Sequence, residues 1–163
     1  AVTLGAATFS FNCQTTTGTF GTNTERIYVT NPSAANSGWT LTLAATSGAT
    51  ALWSTGIDFN DSTGAGCTDG VDTDTKAGQL TVDASVGTLT ADCTSCTTAN
   101  VTKGSATAFA EGTTDSVTLL NAAAASDDVW RGYLTGAALS QTIPAETAAG
   151  SYTINMTLTA TAQ

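Results

Sequence analysis

The stretch SYTINMTLTA, residues 151–160, decides the fold class of this chain. Every second position is apolar, and a hydroxyl or amide side chain stands at nearly every position between. A period of two indicates a β-strand with one buried face and one exposed face. We therefore predict a strand whose apolar face comprises Tyr152, Ile154, Met156, Leu158 and Ala160.

Shorter runs with the same alternation occur along the whole chain, and Gly- or Asn-rich clusters separate them. They lie at residues 26–30, 39–43, 79–82, 116–119 and 129–134. Short strands with this punctuation predict one all-β domain over residues 1–163, a β-sandwich of immunoglobulin-like or jelly-roll-like type. Trp39 and Trp130 fall on the apolar faces and are expected in the core. Residues 58–78 are polar and predict a long loop between strands.

The charge balance argues against two classes of partner. The net charge is −9, and the four basic residues are scattered as Arg26, Lys76, Lys103 and Arg131. No basic stripe is available to neutralise phosphates, so we expect no nucleic-acid binding. No apolar run reaches about 18 residues, so we expect no membrane span.

Four cysteines in an acidic, Thr-rich chain indicate disulfides and a secreted protein at the cell surface. Cys93 and Cys96 can close a small loop, which leaves Cys13 to pair with Cys67. In the alternative, Cys13 and Cys67 each bond one member of the close pair. The chain opens at Ala1-Val2-Thr3, which we interpret as a mature end left after removal of a signal peptide.

The chain contains no histidine, which removes Ser-His-Asp and Cys-His catalysis. The carboxylates fall in loops without an aromatic-rich cleft pattern around them. We therefore predict that the protein is not an enzyme and needs no cofactor for catalysis.

The acidic loop offers oxygen ligands of the kind that Ca²⁺ takes. It lacks the complete calcium-loop spacing and the closing Glu, so a solvated acidic loop is the alternative. The candidate ligands are Asp58, Asn60, Asp61, Asp69, Asp72 and Asp74.

Three Asn-x-Ser/Thr sequons begin at Asn60, Asn100 and Asn155. Each is a candidate glycosylation site in a host that glycosylates. A Thr-rich chain also produces sequons by chance.

Two elements resemble the WxL domains of bacterial surface proteins. The first is SGWTLT at residues 37–42, which follows Ile27-Tyr28-Val29. The second is IPAETAAGSYT at residues 143–153, which runs into Met156-Thr157-Leu158 and places Met156 where the family has its second tryptophan. The resemblance implies a secreted β-sandwich at the cell surface, associated with the wall.

The leading residues carry a pattern suited to strand exchange. Val2, Leu4 and Ala6 alternate, and Phe9 and Phe11 follow after a break in register. A strand near a chain end can complete the sheet of a neighbouring subunit. We therefore predict a self-assembling subunit of an extracellular filament or pilus, with residues 1–11 as donor strand. The alternatives are pairing of this strand within its own domain and a WxL-like module that binds cell wall or polysaccharide.

Overall fold

The computed structural model of the chain describes residues 1–32, 37–70, 74–124, 126 and 129–163. Within them the chain forms eleven strands and one short 3₁₀ turn, Thr63–Gly66. The strands are β1 (Gln14–Phe20), β2 (Ile27–Asn31), β3 (Trp39–Ala45), β4 (Gln79–Asp83), β5 (Thr88–Ala91), β6 (Val101–Lys103), β7 (Thr107–Ala108), β8 (Ser116–Ala122), β9 (Trp130–Thr135), β10 (Ala137–Ile143) and β11 (Met156–Ala162).

The strands form three antiparallel sheets. Sheet I has the order β1-β10-β4-β7, sheet II has the order β11-β3-β8-β6, and sheet III has the order β2-β9-β5. The chain is therefore an all-β sandwich, as the alternation predicts. In the part of the chain that the structure describes, no helix is long and apolar enough to cross a membrane.

One contiguous apolar core joins the three sheets. Trp39 of sheet II packs against Trp130 of sheet III with ring centroids 5.1 Å apart, and both side chains are buried. Val82 of sheet I lies in the same cluster. The core positions of the two tryptophans are thus confirmed.

The long loop between β3 and β4 is anchored in the core rather than fully solvated. Phe59 is completely buried and packs edge to face on Phe109, with centroids 5.1 Å apart. Burial of one aromatic ring supplies about 2–3 kcal/mol, enough to order the neighbouring backbone. Asp58, Asn60 and Asp61 are buried beside it.

The predicted strands at residues 26–30, 39–43, 79–82, 116–119 and 129–134 are confirmed to within one residue at their starts. The last strand begins only at Met156, because residues 151–155 bond loop atoms instead of a sheet neighbour. Ser54 N donates to Thr153 O (2.9 Å), and Thr153 N donates to Ser54 Oγ (3.1 Å).

The disulfides follow the first of the two predicted arrangements. Cys13 bonds Cys67, with Cα atoms 5.6 Å apart, and Cys93 bonds Cys96, with Cα atoms 5.2 Å apart. The first bridge spans 54 residues and ties the start of β1 to the long loop. It therefore also fixes the point where residues 1–12 leave the body of the domain.

Candidate functional site

Residues 1–12, here called the leading segment, lie along β1 but form only an isolated bridge with it. Leu4 pairs with Gly18, and Gly5 N donates to Thr17 O (2.8 Å). Thr16 Oγ1 in turn donates to Gly5 O. Beyond this short contact the segment is irregular, so β1 is only partly covered by it.

The apolar side chains of the leading segment contribute little to the core of their own domain. Phe9 is 57% exposed and Phe11 is 75% exposed, and the two rings meet edge to face with centroids 5.2 Å apart. Val2 is 42% exposed and Ala6 is exposed. Leu4 alone of the five predicted donor side chains packs against the core cluster, and it is only partly buried.

Gly18 of β1 allows Leu4 to approach the strand closely, because it has no side chain. A Cβ at this position would lie 2.7 Å from Leu4 Cδ2 and 2.8 Å from Thr3 O. Contacts below 3.0 Å require something to move, so a side chain here would lift the leading segment from β1.

The second unusual region is β11, which is exposed on both faces. Met156, Leu158, Ala160 and Ala162 lie opposite Ala45, Leu43, Leu41 and Trp39 of β3, in that order. Directly opposite residues share a face of the sheet, so these side chains point to the core side. Leu158 is nevertheless 41% exposed, and Ala160 and Ala162 are exposed. Met156 is half-buried against the core, and the remaining residues of β11 are exposed.

The outer edge of β11 has no strand partner among the described residues. Just before the strand Thr46 N donates to Asn155 O (2.9 Å), and just after it Gln163 N donates to Gly38 O (3.1 Å). Bonding alternates along an antiparallel ladder, so the odd-numbered residues of β11 bond β3. The N–H and C=O groups of Leu158 and Ala160 point away from β3, toward the open edge.

The leading segment and β11 share one electrostatic property. Neither residues 1–12 nor residues 147–163 contain a charged side chain, in a chain whose net charge is −9. The side chains of these two segments therefore add nothing to the like-charge repulsion between two copies of the chain.

The acidic loop uses its buried carboxylates to hold its own backbone. Asp58 Oδ1 accepts from Phe59 N (2.6 Å) and Asn60 N (3.3 Å). The two oxygens of Asp61 accept from Thr63 N (2.8 Å) and Gly70 N (2.9 Å). These contacts fold the loop.

Two further calcium candidates, Asp69 and Asp74, are not buried as this pair is. Asp69 is exposed, and Asp74 Oδ1 accepts from Lys76 N (2.7 Å). Asp72 lies outside the described residues. Within those residues no group of three or more acidic, Cys or His side chains is gathered for a metal ion. Calcium binding stays a prediction.

The three sequon asparagines differ in accessibility. Asn60 is 1% exposed and its Nδ2 donates to Ala49 O (2.8 Å), so its amide has no room for a glycan in the folded chain. Asn100 and Asn155 are exposed. Glycosylation at Asn100 and Asn155 stays a prediction.

An aromatic and charged cluster on sheet III was not predicted from the sequence. Tyr28 and Tyr133 are directly opposite and stack with centroids 6.2 Å apart, and the Arg26 guanidinium lies 4.1 Å from the Tyr133 ring centroid. Tyr28 Oη donates to Asp92 Oδ2 (2.8 Å), and Arg131 Nε donates to Asp92 O (2.6 Å). The alternation of β2 could have indicated part of this cluster, because it places Tyr28 on the outer face of the strand and Ile27 and Val29 on the inner face.

Comparison of the chain with protein-family models, with curated proteins and with solved structures finds no match. The resemblance to WxL domains therefore stays a prediction. What is established is the class: a disulfide-bonded all-β sandwich with one uncovered edge strand and a loosely held leading segment.

Proposed function

We propose that this protein is a structural subunit of an extracellular filament or other surface assembly, and that neighbouring subunits join by β-strand complementation. The observation that carries the proposal is that the apolar side chains of the leading segment stay exposed, Val2 and Ala6 in its alternating stretch as well as Phe9 and Phe11 after it. When a partner buries such a side chain, each Å² of apolar surface removed from water stabilises the complex by about 25 cal/mol.

The leading segment is held in its own domain by contacts that exchange can replace. In its first eight residues these are the bridge and partial core packing of Leu4, one backbone hydrogen bond at Gly5, and an exposed ion pair between Ala1 and Glu25. The side chains of Thr16 and Gln14 also donate to the backbone oxygens of Gly5 and Thr8. An exposed ion pair contributes about 0–1 kcal/mol. Strand addition in a neighbour offers a continuous ladder instead, with alternate side chains buried.

Head-to-tail strand addition extends into an open polymer when the contact does not close on itself. The donor and the acceptor surfaces are different parts of the chain, so each added subunit presents a new acceptor. A subunit of this kind needs no catalytic site, in keeping with the expectation that the protein is not an enzyme.

Removal of residues 1–8 tests the proposal. The full chain is expected to form filaments visible by electron microscopy, and the shortened chain is expected to remain monomeric with an unchanged β-type circular dichroism spectrum. Assembly of the shortened chain at the rate of the full chain would show that strand exchange by this segment is not the mechanism.

Ala6 and Ala7 provide a matched pair of substitutions. Both are exposed in the monomer, and in an extended strand their side chains point to opposite faces. Ala6→Asp places a charge on the face of Val2 and Leu4, which a neighbour would bury, so it should abolish assembly. Ala7→Asp adds the same charge on the outer face and should leave assembly intact. Equal behaviour of the two variants would contradict the proposal.

A second candidate function is binding of cell-wall polysaccharide, and the stacked Tyr28 and Tyr133 pair favours it. Tyr28 is 45% exposed, and aromatic rings with a polar tip suit wet, amphipathic ligands. Retention of the protein on isolated cell wall, lost on Tyr28→Ala but not on Ala6→Asp, would select this function.

A further inference from the structure

The open edges of the sheets differ in how well they can accept a strand. β6 has three residues and ends in Lys103, and β7 has only two residues. β5 has four residues and is followed directly by Asp92. Natural edge strands avoid unwanted pairing by being short and by carrying charge.

The remaining edges fall short in other ways. β1 (QTTTGTF) lacks an apolar stripe that an incoming strand could extend, and it is partly covered by the leading segment until that segment is donated. β2 has five residues, is preceded by Arg26, and its inner face is fully covered, with Ile27 1% and Val29 5% exposed. Within the described residues, β11 alone combines seven residues, no charge and an uncovered apolar face.

We propose that β11 is the acceptor edge, and that its occupant is the leading segment of a second copy of this chain. This assignment rests on the proposed function and names the surface on which it acts. The stretch over which Val2, Leu4 and Ala6 alternate is short enough to pair along the seven residues of β11. Val2, Leu4 and Ala6 of the incoming strand then extend the apolar face of Leu158 and Ala160.

Charge supports the same occupant. The net charge of −9 disfavours an acidic partner, and residues 147–163 have no acidic side chain that would pair with a basic one. The leading segment has no charged side chain and is present at the same concentration as its acceptor. Its apolar residues therefore fit this edge better than a charged peptide does.

The bonding pattern of β11 yields a specific test. Ala160 directs its N–H to the open edge, so Ala160→Pro removes a donor that β3 does not use. Proline is tolerated on edge strands when its position faces outward. We expect Ala160→Pro to fold with nearly unchanged Tm and to lose filament formation, while Ala160→Ser, which keeps the N–H, assembles.

Thr161→Pro is the control for the bonding pattern. Its N–H is on the β3 side of the ladder, opposite Thr40, so the substitution removes a hydrogen bond within the subunit. Thr161→Pro should lower Tm clearly below that of Ala160→Pro. If Ala160→Pro fails to fold, a Leu158→Lys chain, which keeps every backbone group, replaces it in the same assay.

Mixing two assembly-deficient chains tests the direction of the contact. An Ala160→Pro chain still has a donor segment, and a chain without residues 1–8 still has an open β11. Together they should form a heterodimer and stop there, as measured by analytical ultracentrifugation. The variant that carries both changes should remain monomeric with either partner.

The outcomes separate this assignment from the proposed function. If the full chain forms no filaments, the proposed function is wrong. If filaments form and require residues 1–8, but Ala160→Pro assembles as the native chain does, the function stands and the β11 assignment is overturned. Loss of assembly by Ala160→Pro together with the heterodimer supports both.

Discussion

The strands β3 and β11 have nearly the same sequence pattern and opposite environments. β3 reads WTLTLAA over Trp39–Ala45, and β11 reads MTLTATA over Met156–Ala162. They pair directly, yet alternate residues of β3 are buried whereas no residue of β11 is. Alternation therefore specifies a strand and its two faces, but the position in the sheet decides whether the apolar face is covered.

The cause of the difference is the layer opposite. β3 lies between β8 and β11, and its apolar side chains reach Trp130 and the rest of the core. β11 lies one strand further out, and its core-side residues past Met156 are exposed. A β-bulge in β8, opposite Leu41 and Thr42 of β3, lets the consecutive residues Leu119 and Leu120 both be buried.

The largest expected effect is the difference between two single substitutions, at leucines that lie opposite each other in β3 and β11. Leu43 is 4% exposed and Leu158, directly opposite, is 41% exposed. Leu43→Ala should lower the free energy of unfolding by about 2–5 kcal/mol, because it removes transfer energy and leaves a cavity. Leu158→Ala should cost less than about 1 kcal/mol, because solvent fills the space.

Denaturant titration of both variants measures the two costs under identical conditions. Similar losses for Leu43→Ala and Leu158→Ala would mean that β11 is covered in the monomer, and the contrast between the strands would disappear.

Amide hydrogen exchange resolves the contrast at single residues. The N–H groups of Thr157, Thr159 and Thr161 are expected to be protected by β3, whereas those of Leu158 and Ala160 face water and should exchange quickly. In β3, which has a neighbour on each side, protection should extend to both sets of alternate amides. In assembled protein the amides of Leu158 and Ala160 should become protected, and unchanged exchange there would place the subunit contact elsewhere.

A smaller effect is expected at β1, an edge strand that the leading segment partly covers. Gly18→Ala adds a Cβ that meets Leu4 and Thr3 O, so it should detach residues 1–8 from β1. Ala is favoured over Gly in a strand by about 0.5–1 kcal/mol, which offsets part of the lost contact. Global stability should therefore change by no more than about 1 kcal/mol, while limited proteolysis within residues 1–12 accelerates.

Under the proposed function, Gly18→Ala should also shorten the lag before filaments appear, since the donor is already released. Val117→Ala provides a control that destabilises the core without touching the leading segment. Faster proteolysis of residues 1–12 in that control as well would attribute the effect to general loosening.

The sequence allows prediction of the fold class and of strands with strong alternation, and it misses features set by distant partners. β1 (QTTTGTF) and β10 (AALSQTI) lack a clear apolar stripe, so neither strand was predicted. The uncovered face of β11 depends on how far the opposing layer extends, which no local pattern encodes. Likewise, Asp58 and Asp61 resemble solvated loop residues, but Phe59 draws them into the interior, where backbone N–H groups satisfy them.

The smallest expected effect concerns β2, an edge strand whose inner face is covered and whose outer face carries Tyr28. Desolvation raises the pKa of the Tyr28 phenol above its ordinary value of 10.0, and the hydrogen bond to Asp92 raises it further, while Arg131 and Arg26 oppose the shift in part. A raised pKa means that the folded state holds this proton more tightly than the unfolded state. The contribution of Tyr28 to the free energy of unfolding is therefore complete below pH 10.0 and is lost as the pH rises through the folded pKa.

Because the Tyr28 side chain is exposed, the free energy of unfolding should change little, and the titration of the phenol is the quantity to measure. The tyrosinate absorbance difference between the native chain and Tyr28→Phe should show a midpoint above 10.0, and Asp92→Asn should move it down. A midpoint at or below the ordinary value would mean that the Tyr28–Asp92 hydrogen bond does not persist in solution. The outer face of β2 would then lack this bond although its inner face is covered.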